Sequence, residues 1–394
     1  MGDATTSSVP RARQLTITER LDALARRAAM PDPARPARAV LACVVGLMAI
    51  GFLLQASHAS TTLPPEEFQA ELLRMLMYRA MAVVVFVLAY RIGPFGVARH
   101  VPWLTGLVVL MLLLVYLPAV NAAVNGSRRW LQVPLVGLTV QPSELARVAG
   151  VLWVALRIRQ LGDEVEDARG GYLPMFLFGM ACFSLILLEP DVGGALLFLL
   201  CFMSTMWVGG ARPTHLAGSG AVVGVGALIF CAAAFSHAQE RIAVWLGHSS
   251  NEQVTRAAEA MASGGLIGNG FVQGLFRNAN LQYMQTDYAL SLVGEELGLF
   301  GVLVVLGLLL AFAVFSFRLV ASLRDRYLAL TAFGLLVSVA FQAMLHVQVV
   351  TGLAPPKGMT LPFVSEGGSA LLASSLAIGL ALGAARPNRT PSIP

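Results

Sequence analysis

Long apolar runs, separated by short polar breaks, set the pattern of this chain. They fall at about 39–56, 73–90, 103–118, 143–158, 172–188, 192–209, 216–235, 288–317, 327–347 and 367–385. Each is close to the roughly twenty residues that a helix needs to cross a bilayer. The pattern predicts an all-α polytopic membrane protein of about ten transmembrane helices. The run at 288–317 exceeds one bilayer thickness, which predicts a helix that is tilted or that extends into solvent. Polar sequence accumulates in two places, the Arg- and Pro-rich stretch 1–38 and the long segment 236–287 between the seventh and eighth runs. The expected organisation is therefore a tail at 1–38, a membrane domain at 39–385 with a large outer loop at 236–287, and a short tail at 386–394.

Composition agrees with the pattern. Of 394 residues 57% are hydrophobic and 12% charged, about half the charged fraction of a soluble domain. The net charge of +5 is carried by arginine, Lys357 being the one lysine. No basic run resembles a nucleic-acid-binding arm, so no nucleic-acid partner is expected. Cys43, Cys182, Cys201 and Cys231 lie inside apolar runs without metal-ligand or CxxC spacing, and read as small buried hydrophobes. The polar N-terminal stretch, with a helix expected around Thr16 to Ala29, does not read as a cleavable signal peptide.

Arginine also sets the orientation. The short loops at 91–101, 157–171, 210–215 and 318–326 hold Arg91, Arg99, Arg157, Arg159, Arg169, Arg212, Arg318, Arg324 and Arg326. This places them, with both termini, on the cytoplasmic side. The loops at 57–72, 119–142, 189–191, 236–287 and 348–366 then face outward. Arg128, Arg129, Arg241 and Arg256 lie on the side the charge rule disfavours, which an anionic ligand explains better than topology does.

Four polar groups share that outer side. The first runs from Asn125-Gly126-Ser127-Arg128-Arg129 to Gln141-Pro142-Ser143-Glu144 and Arg147. Pro142 and Ser143 read as a helix start, with Glu144 and Arg147 as i, i+3 neighbours. That pair is either an internal ion pair between helices or part of a site, since intramembrane charges are functional candidates by default. The second group is the acidic turn Glu189-Pro190-Asp191, for which the alternative reading is that Asp191 serves only the dipole of the helix that follows. The third ends at Asp287, either a helix cap or a general base at the edge of the membrane. The fourth, Pro355 to Ser369, is too rich in proline and glycine for regular helix, and such backbone is tolerated near a membrane when buried in protein or lining a wet cavity. Ser263 to Gly270 (SGGLIGNG) lacks the GK[ST] of a phosphate loop and reads as a bend in an outer loop.

The motifs NGSRRW, QPSELAR, EPDVGG, SGGLIGNG, QTDYALSLVGEELG and PPKGMTLPFVSEGGS occur in the order found in the SEDS family (shape, elongation, division and sporulation). The chain resembles that family of FtsW and RodA type peptidoglycan polymerases over about 39 to 385, and the PPKG-x-TLPF wording looks more like the FtsW branch. The resemblance implies a ten-helix fold that polymerises lipid II on the outer face of the bacterial inner membrane. It implies that Asp287 matches the catalytic aspartate of a His-Thr-Asp motif, that Glu144 and Arg147 match the Glu and Lys of QPSE-x-x-K, that Pro190 and Asp191 match QPD-x-G, and that Lys357 to Ser369, with Ser365 and Ser369, match KG-x-TLP…SYGGS. The sequence departs from the family at Gln285 (His), Glu366 (Tyr), Glu189 (Gln), Arg147 (Lys) and His346 (Asn), as a divergent member would.

In the implied chemistry, Asp287 takes the proton from the sugar hydroxyl of incoming lipid II. Arg128, Arg129, Arg147, Arg256 and Lys357 are candidates to stabilise the departing diphosphate. No cofactor is required with certainty, but a divalent cation, Mg or Mn, near Asp191 or Asp287 would share the charge. The implied partners are a class B penicillin-binding protein (the transpeptidase) and other division proteins, and the implied location is the division septum. Two rival readings use the same residues: a lipid II flippase, against which the lack of an internal repeat counts, and an idle scaffold for the transpeptidase, against which the retained Asp287 counts.

Overall fold

The computed structural model describes residues 32–117, 121–124, 127–133, 138–234, 236–249, 251–274 and 284–386. The helix expected around Thr16 to Ala29 and the tail beyond Arg386 lie outside the described residues. Every apolar run of the sequence is matched by a helix: α1 (Ala34–Thr62), α2 (Pro65–Ala98), α3 (Val101–Leu114), α4 (Pro142–Leu161), α5 (Leu173–Leu188), α6 (Val192–Val208), α7 (Pro213–Ala234), then, beyond two shorter helices α8 (Ser236–Trp245) and α9 (Glu252–Ser263), α10 (Ala289–Ser322), α11 (Arg326–Val350) and α12 (Gly368–Gly383). Among the described residues, five helical stretches are long and apolar enough to cross a membrane: α1, α2, Ala168–Leu188 (which contains α5), α10 and α11. Helices α3, α6 and α12 are apolar but shorter. The molecule is a predominantly helical, multi-pass membrane protein.

A small sheet joins the helices. Strands β1 (Asn121–Val124), β2 (Ser127–Val133) and β3 (Leu138–Val140) form an antiparallel three-stranded sheet in the order β1-β2-β3. These strands sit in the segment read from the sequence as a plain outer loop. They are too short, at three to seven residues, to carry a period-2 signal.

The core lies where α4, α6 and α11 meet. Phe198 and Phe202 of α6 and Leu335 of α11 are buried, as are Val151 and Val154 of α4. At one end of the bundle the Arg-rich loops converge. Arg159 pairs with Asp325 at 3.4 Å, Arg326 donates to the Gly209 carbonyl at 2.7 Å, and Arg386 donates to the Tyr90 carbonyl at 3.2 Å. The loops that arginine assigns to one side of the membrane thus touch one another.

The overlong run resolves into a broken helix. Within α10, Gly298 has φ 66° and ψ −165°, a left-handed conformation that glycine adopts without steric cost. A break in a helix leaves backbone groups unpaired, which is expensive away from water. Here the segment after α9 supplies the partners: Asn269 N–H donates to the Glu295 carbonyl (2.9 Å) and Gly270 N–H to that of Glu296 (3.0 Å), while Leu299 and Phe300 N–H donate to the carbonyls of Gly265 (2.9 Å) and Leu266 (3.1 Å). The SGGLIGNG bend is therefore a strap across the break. The fit is close, since a Cβ on Gly298 would lie 2.3 Å from the Gly268 nitrogen.

Candidate functional site

Asp191 is the best anchored of the candidate residues. It is the N-cap of α6, accepting from the Gly194 N–H at 2.9 Å. Its other oxygen accepts from Gln141 Nε2 at 3.0 Å and from Ser143 Oγ at 3.1 Å. Arg129 lies 3.9 Å away and donates to the carbonyls of Glu189 (3.2 Å) and Pro190 (2.5 Å). The dipole reading of Asp191 holds, and the same carboxylate joins β2, α4 and α6. For Arg128, the described contact is its backbone pairing with Ala123. Glu189 is buried, and neither carboxylate oxygen has a hydrogen-bond partner among the described residues. Burial first, and Asp191 second, push its pKa up to about 8, with Arg129 pulling the other way.

Glu144 and Arg147 form the ion pair their spacing allows, at 2.7 Å. Arg147 also donates to Gln342 Oε1 at 2.8 Å, and Gln342 donates onward to Thr360 Oγ1 at 2.9 Å. A buried polar chain therefore runs from α4 through α11 into the irregular segment 355–367. His346 adds a second tie from α11, its Nδ1 lying 2.7 Å from the Met359 carbonyl. Ser369 holds the far end of that segment, accepting from the Gln141 N–H at 2.9 Å.

Asp287 sits where this segment meets the chain entering α10. Ser365 Oγ donates to the Thr286 carbonyl at 2.6 Å and accepts from the Leu361 N–H at 2.7 Å; Glu366 N–H donates to the Gln285 carbonyl at 2.9 Å. The Asp287 carboxylate lies against Gly358, the residue after Lys357: a Cβ there would come within 2.9 Å of Oδ2. A side chain at 358 would force the carboxylate to shift. The N-cap of α10 is Tyr288, one residue beyond Asp287, and Tyr288 makes no side-chain cap bond. Burial pushes its pKa up to about 6, opposed by hydrogen bonding from Thr286 and by the charges of Arg241 and Arg129.

The polar groups are thus linked: segment 355–367 meets Asp287 at Gly358 and reaches Arg147 through Gln342, while Asp191 connects to Ser369, just beyond it, through Gln141. Arg256 is placed differently, paired with Glu252 one turn away on α9. Gln342 joins the site from outside the four polar groups, while Gln141, Ser143, Thr360 and Arg241, noted in the sequence, carried no assigned role there. Gln342, an amide within an apolar run, was the most legible of these, since a polar residue inside a span needs a partner. Among the described residues, no three His, Cys, Asp or Glu side chains gather to hold a metal ion. The oxygens of Asp191 are occupied by N–H and O–H donors, which fits a cation poorly. Asp287 would share a divalent cation only with oxygens of a substrate.

Fold and site together define a multi-pass membrane protein with a buried polar network that ties α4 and α11 to the irregular segment before α12. The FtsW/RodA/SpoVE family model, described as a cell cycle protein, matches residues 37–390. The probable peptidoglycan glycosyltransferase FtsW of Trichlorobacter lovleyi is 30% identical over 351 residues, covering 87% of this chain and 91% of that protein. The corresponding protein of Coxiella burnetii is 31% identical over 356 residues, covering 87% and 94%. A chain of a peptidoglycan synthase complex, solved to address the coordination of polymerization and crosslinking, superposes with a TM-score of 0.69 at 26% identity, over 87% of this chain and 95% of that one. The rod shape determining protein RodA of Thermus thermophilus gives 0.65 at 25% identity, over 89% and 97%. The chain belongs to the FtsW/RodA/SpoVE family.

Proposed function

We propose that the protein is a peptidoglycan glycosyltransferase that polymerises lipid II into β-1,4 glycan strands, with Asp287 as general base. The observation that carries this reading is the state of Asp287: its carboxylate is half-buried, pressed against Gly358 beside Lys357, and shifted up to about 6. A base poised near the working pH serves proton abstraction well. The 4-hydroxyl of the incoming lipid II sugar attacks C1 of the growing strand, its proton passes to Asp287, and the C1–O bond to the polyprenyl diphosphate breaks. Attack opposite the leaving group turns an α-linked donor into a β-linked product. The departing diphosphate carries its own charge and needs cations more than it needs an acid. The candidates are Arg129, whose charge acts on Asp287, and Lys357, next in sequence to Gly358. Arg147, Glu144, Asp191, Ser365 and Ser369 hold the frame that positions it. The reaction takes place on the outer face of the cytoplasmic membrane at the division septum, beside a class B penicillin-binding protein that crosslinks the strands.

The test is polymerisation by purified protein of labelled lipid II, with and without a class B penicillin-binding protein. Long glycan strands from the wild type and none from Asp287→Asn are expected. Movement of lipid II across vesicles without strand synthesis would favour the flippase reading instead.

A further inference from the structure

Gln342 and His346 stand one helical turn apart on α11, and both are buried. They grip consecutive residues of a stretch, 355–361, that has no regular secondary structure of its own. Gln342 Nε2 donates to the Thr360 carbonyl (3.2 Å) and to the Thr360 hydroxyl (2.9 Å). His346 Nδ1 lies 2.7 Å from the Met359 carbonyl. A carbonyl oxygen only accepts, so the proton of this bond is on Nδ1.

Met359 is held from a second side as well. It is buried, and its side chain rests on Gly193 in the first turn of α6, where a Cβ would lie 3.1 Å from Cγ and 3.2 Å from Sδ. Consecutive Cα atoms are about 3.8 Å apart, so pinning Met359 fixes where Gly358 can lie. Gly358 is the residue against the Asp287 carboxylate. Helix α11 and the start of α6 thus hold, through one residue, a wall of the proposed base.

We propose that His346 is a positioning residue for Asp287: through Met359 it holds Gly358 against the carboxylate and keeps that side of it out of water. This takes Asp287 as the base from the polymerase reading and adds how its surroundings are kept in place. The imidazole acts through a backbone carbonyl, so what counts is an N–H at the δ position. Asparagine carries an N–H the same number of bonds from the backbone. Leucine fills a similar space without a donor.

The test compares the full chain in lipid nanodiscs as wild type, His346→Leu and His346→Asn. The first readout is infrared titration of the Asp287 carboxyl, identified as the band that Asp287→Asn removes. In the wild type it is expected to titrate at about 6. In His346→Leu, Gly358 is released, water solvates the charged form, and the carboxyl should titrate at lower pH. His346→Asn should keep the wild-type titration. Arg241, Arg129 and Tyr288, the ionisable groups that act with Asp287, are present in all three proteins, as is Lys357, so a shift reports solvation and not a lost charge.

The second readout is strand synthesis from lipid II. His346→Leu should lower kcat roughly 10- to 100-fold, the scale of a misplaced catalytic group, with KM little changed. The acid limb of its kcat/KM should move to lower pH in step with the infrared titration, and His346→Asn should recover most of the rate. A carboxyl that titrates in His346→Leu as in the wild type overturns the proposal, as does His346→Asn behaving like His346→Leu. Should His346→Leu fail to fold, His346→Gln, whose amide nitrogen sits one bond further out, carries the same expectation. The infrared titration needs no turnover, so a shift seen in a protein inactive towards lipid II would refute the polymerase reading and leave the positioning role standing.

Discussion

Asp191 and Asp287 both precede apolar helices, yet the fold treats them in opposite ways. Asp191 caps its helix and accepts from Gln141, Ser143 and Gly194, with Arg129 close by. Asp287 leaves the helix start to Tyr288 and is pressed against Gly358, its proton affinity raised by burial. The number of donors aimed at each carboxylate separates a brace from the proposed base. A carboxylate met on every side by donors has no capacity left for a substrate proton; one that burial has made basic has that capacity.

The sharpest way to break this comparison is to neutralise the base. Asp287→Asn is expected to slow strand synthesis by roughly 10²–10⁴-fold, the usual worth of a general base. Its stability should be unimpaired. A carboxyl whose folded pKa lies near 6, above its ordinary 3.8, binds its proton more tightly when folded, so folding stability falls as pH rises through that window. Asparagine is spared that loss. Near-normal synthesis by the Asn variant would remove the distinction drawn here.

The frame comes next. Arg147 is buried between Glu144 and Gln342, and removing one partner of a buried pair costs about 3–5 kcal/mol. Arg147→Ala should lower the unfolding midpoint sharply, and the double change with Glu144→Ala should cost little more than either alone. Additive losses would show that the two act separately.

Asp191→Ala should act on stability before rate. Leaving Gln141, Ser143 and the Gly194 N–H short of an acceptor costs about 1–3 kcal/mol, visible in thermal unfolding, whereas turnover per folded molecule should change far less than for Asp287→Asn. A rate loss as large as that of Asp287→Asn with an unchanged midpoint would make Asp191 a participant in the chemistry.

The smallest effect concerns pH. The proposed base would work deprotonated, so kcat/KM should fall as pH drops through about 6. Arg241 favours the charged form of Asp287, so Arg241→Gln should move that limb upward by a few tenths of a pH unit, as suits an exposed charge. A downward shift would contradict the assigned sign.

Hydropathy made the helices legible, because every run that reads as a span is a helix. The candidate site was legible as four polar groups, since charged residues in a membrane protein are few and their chain positions alone sort them to one side. The contacts between those groups were not. Ser369 lies 228 residues from Gln141, and no periodic signal reaches so far. Whether Asp287 caps α10 turns on which residue the helix starts from, a matter of one position that residue types leave open. The overlong run at 288–317 did announce something irregular, but the glycine that breaks it resembles the many other glycines of the apolar runs until its hydrogen-bonding partners are seen.

That break has a consequence for how the chain is made. The strap at Gly265–Gly270 leaves the ribosome before Gly298 does, so the backbone groups that satisfy the break are synthesised ahead of the helix that needs them. On the outward assignment of loop 236–287, the strap must already have crossed the membrane when the second part of α10 enters the bilayer. Until it docks, Leu299 and Phe300 lack the carbonyls they donate to, and hydrocarbon offers none. Translocation of one loop thereby becomes a condition for the insertion of the following helix, and the order of synthesis meets it.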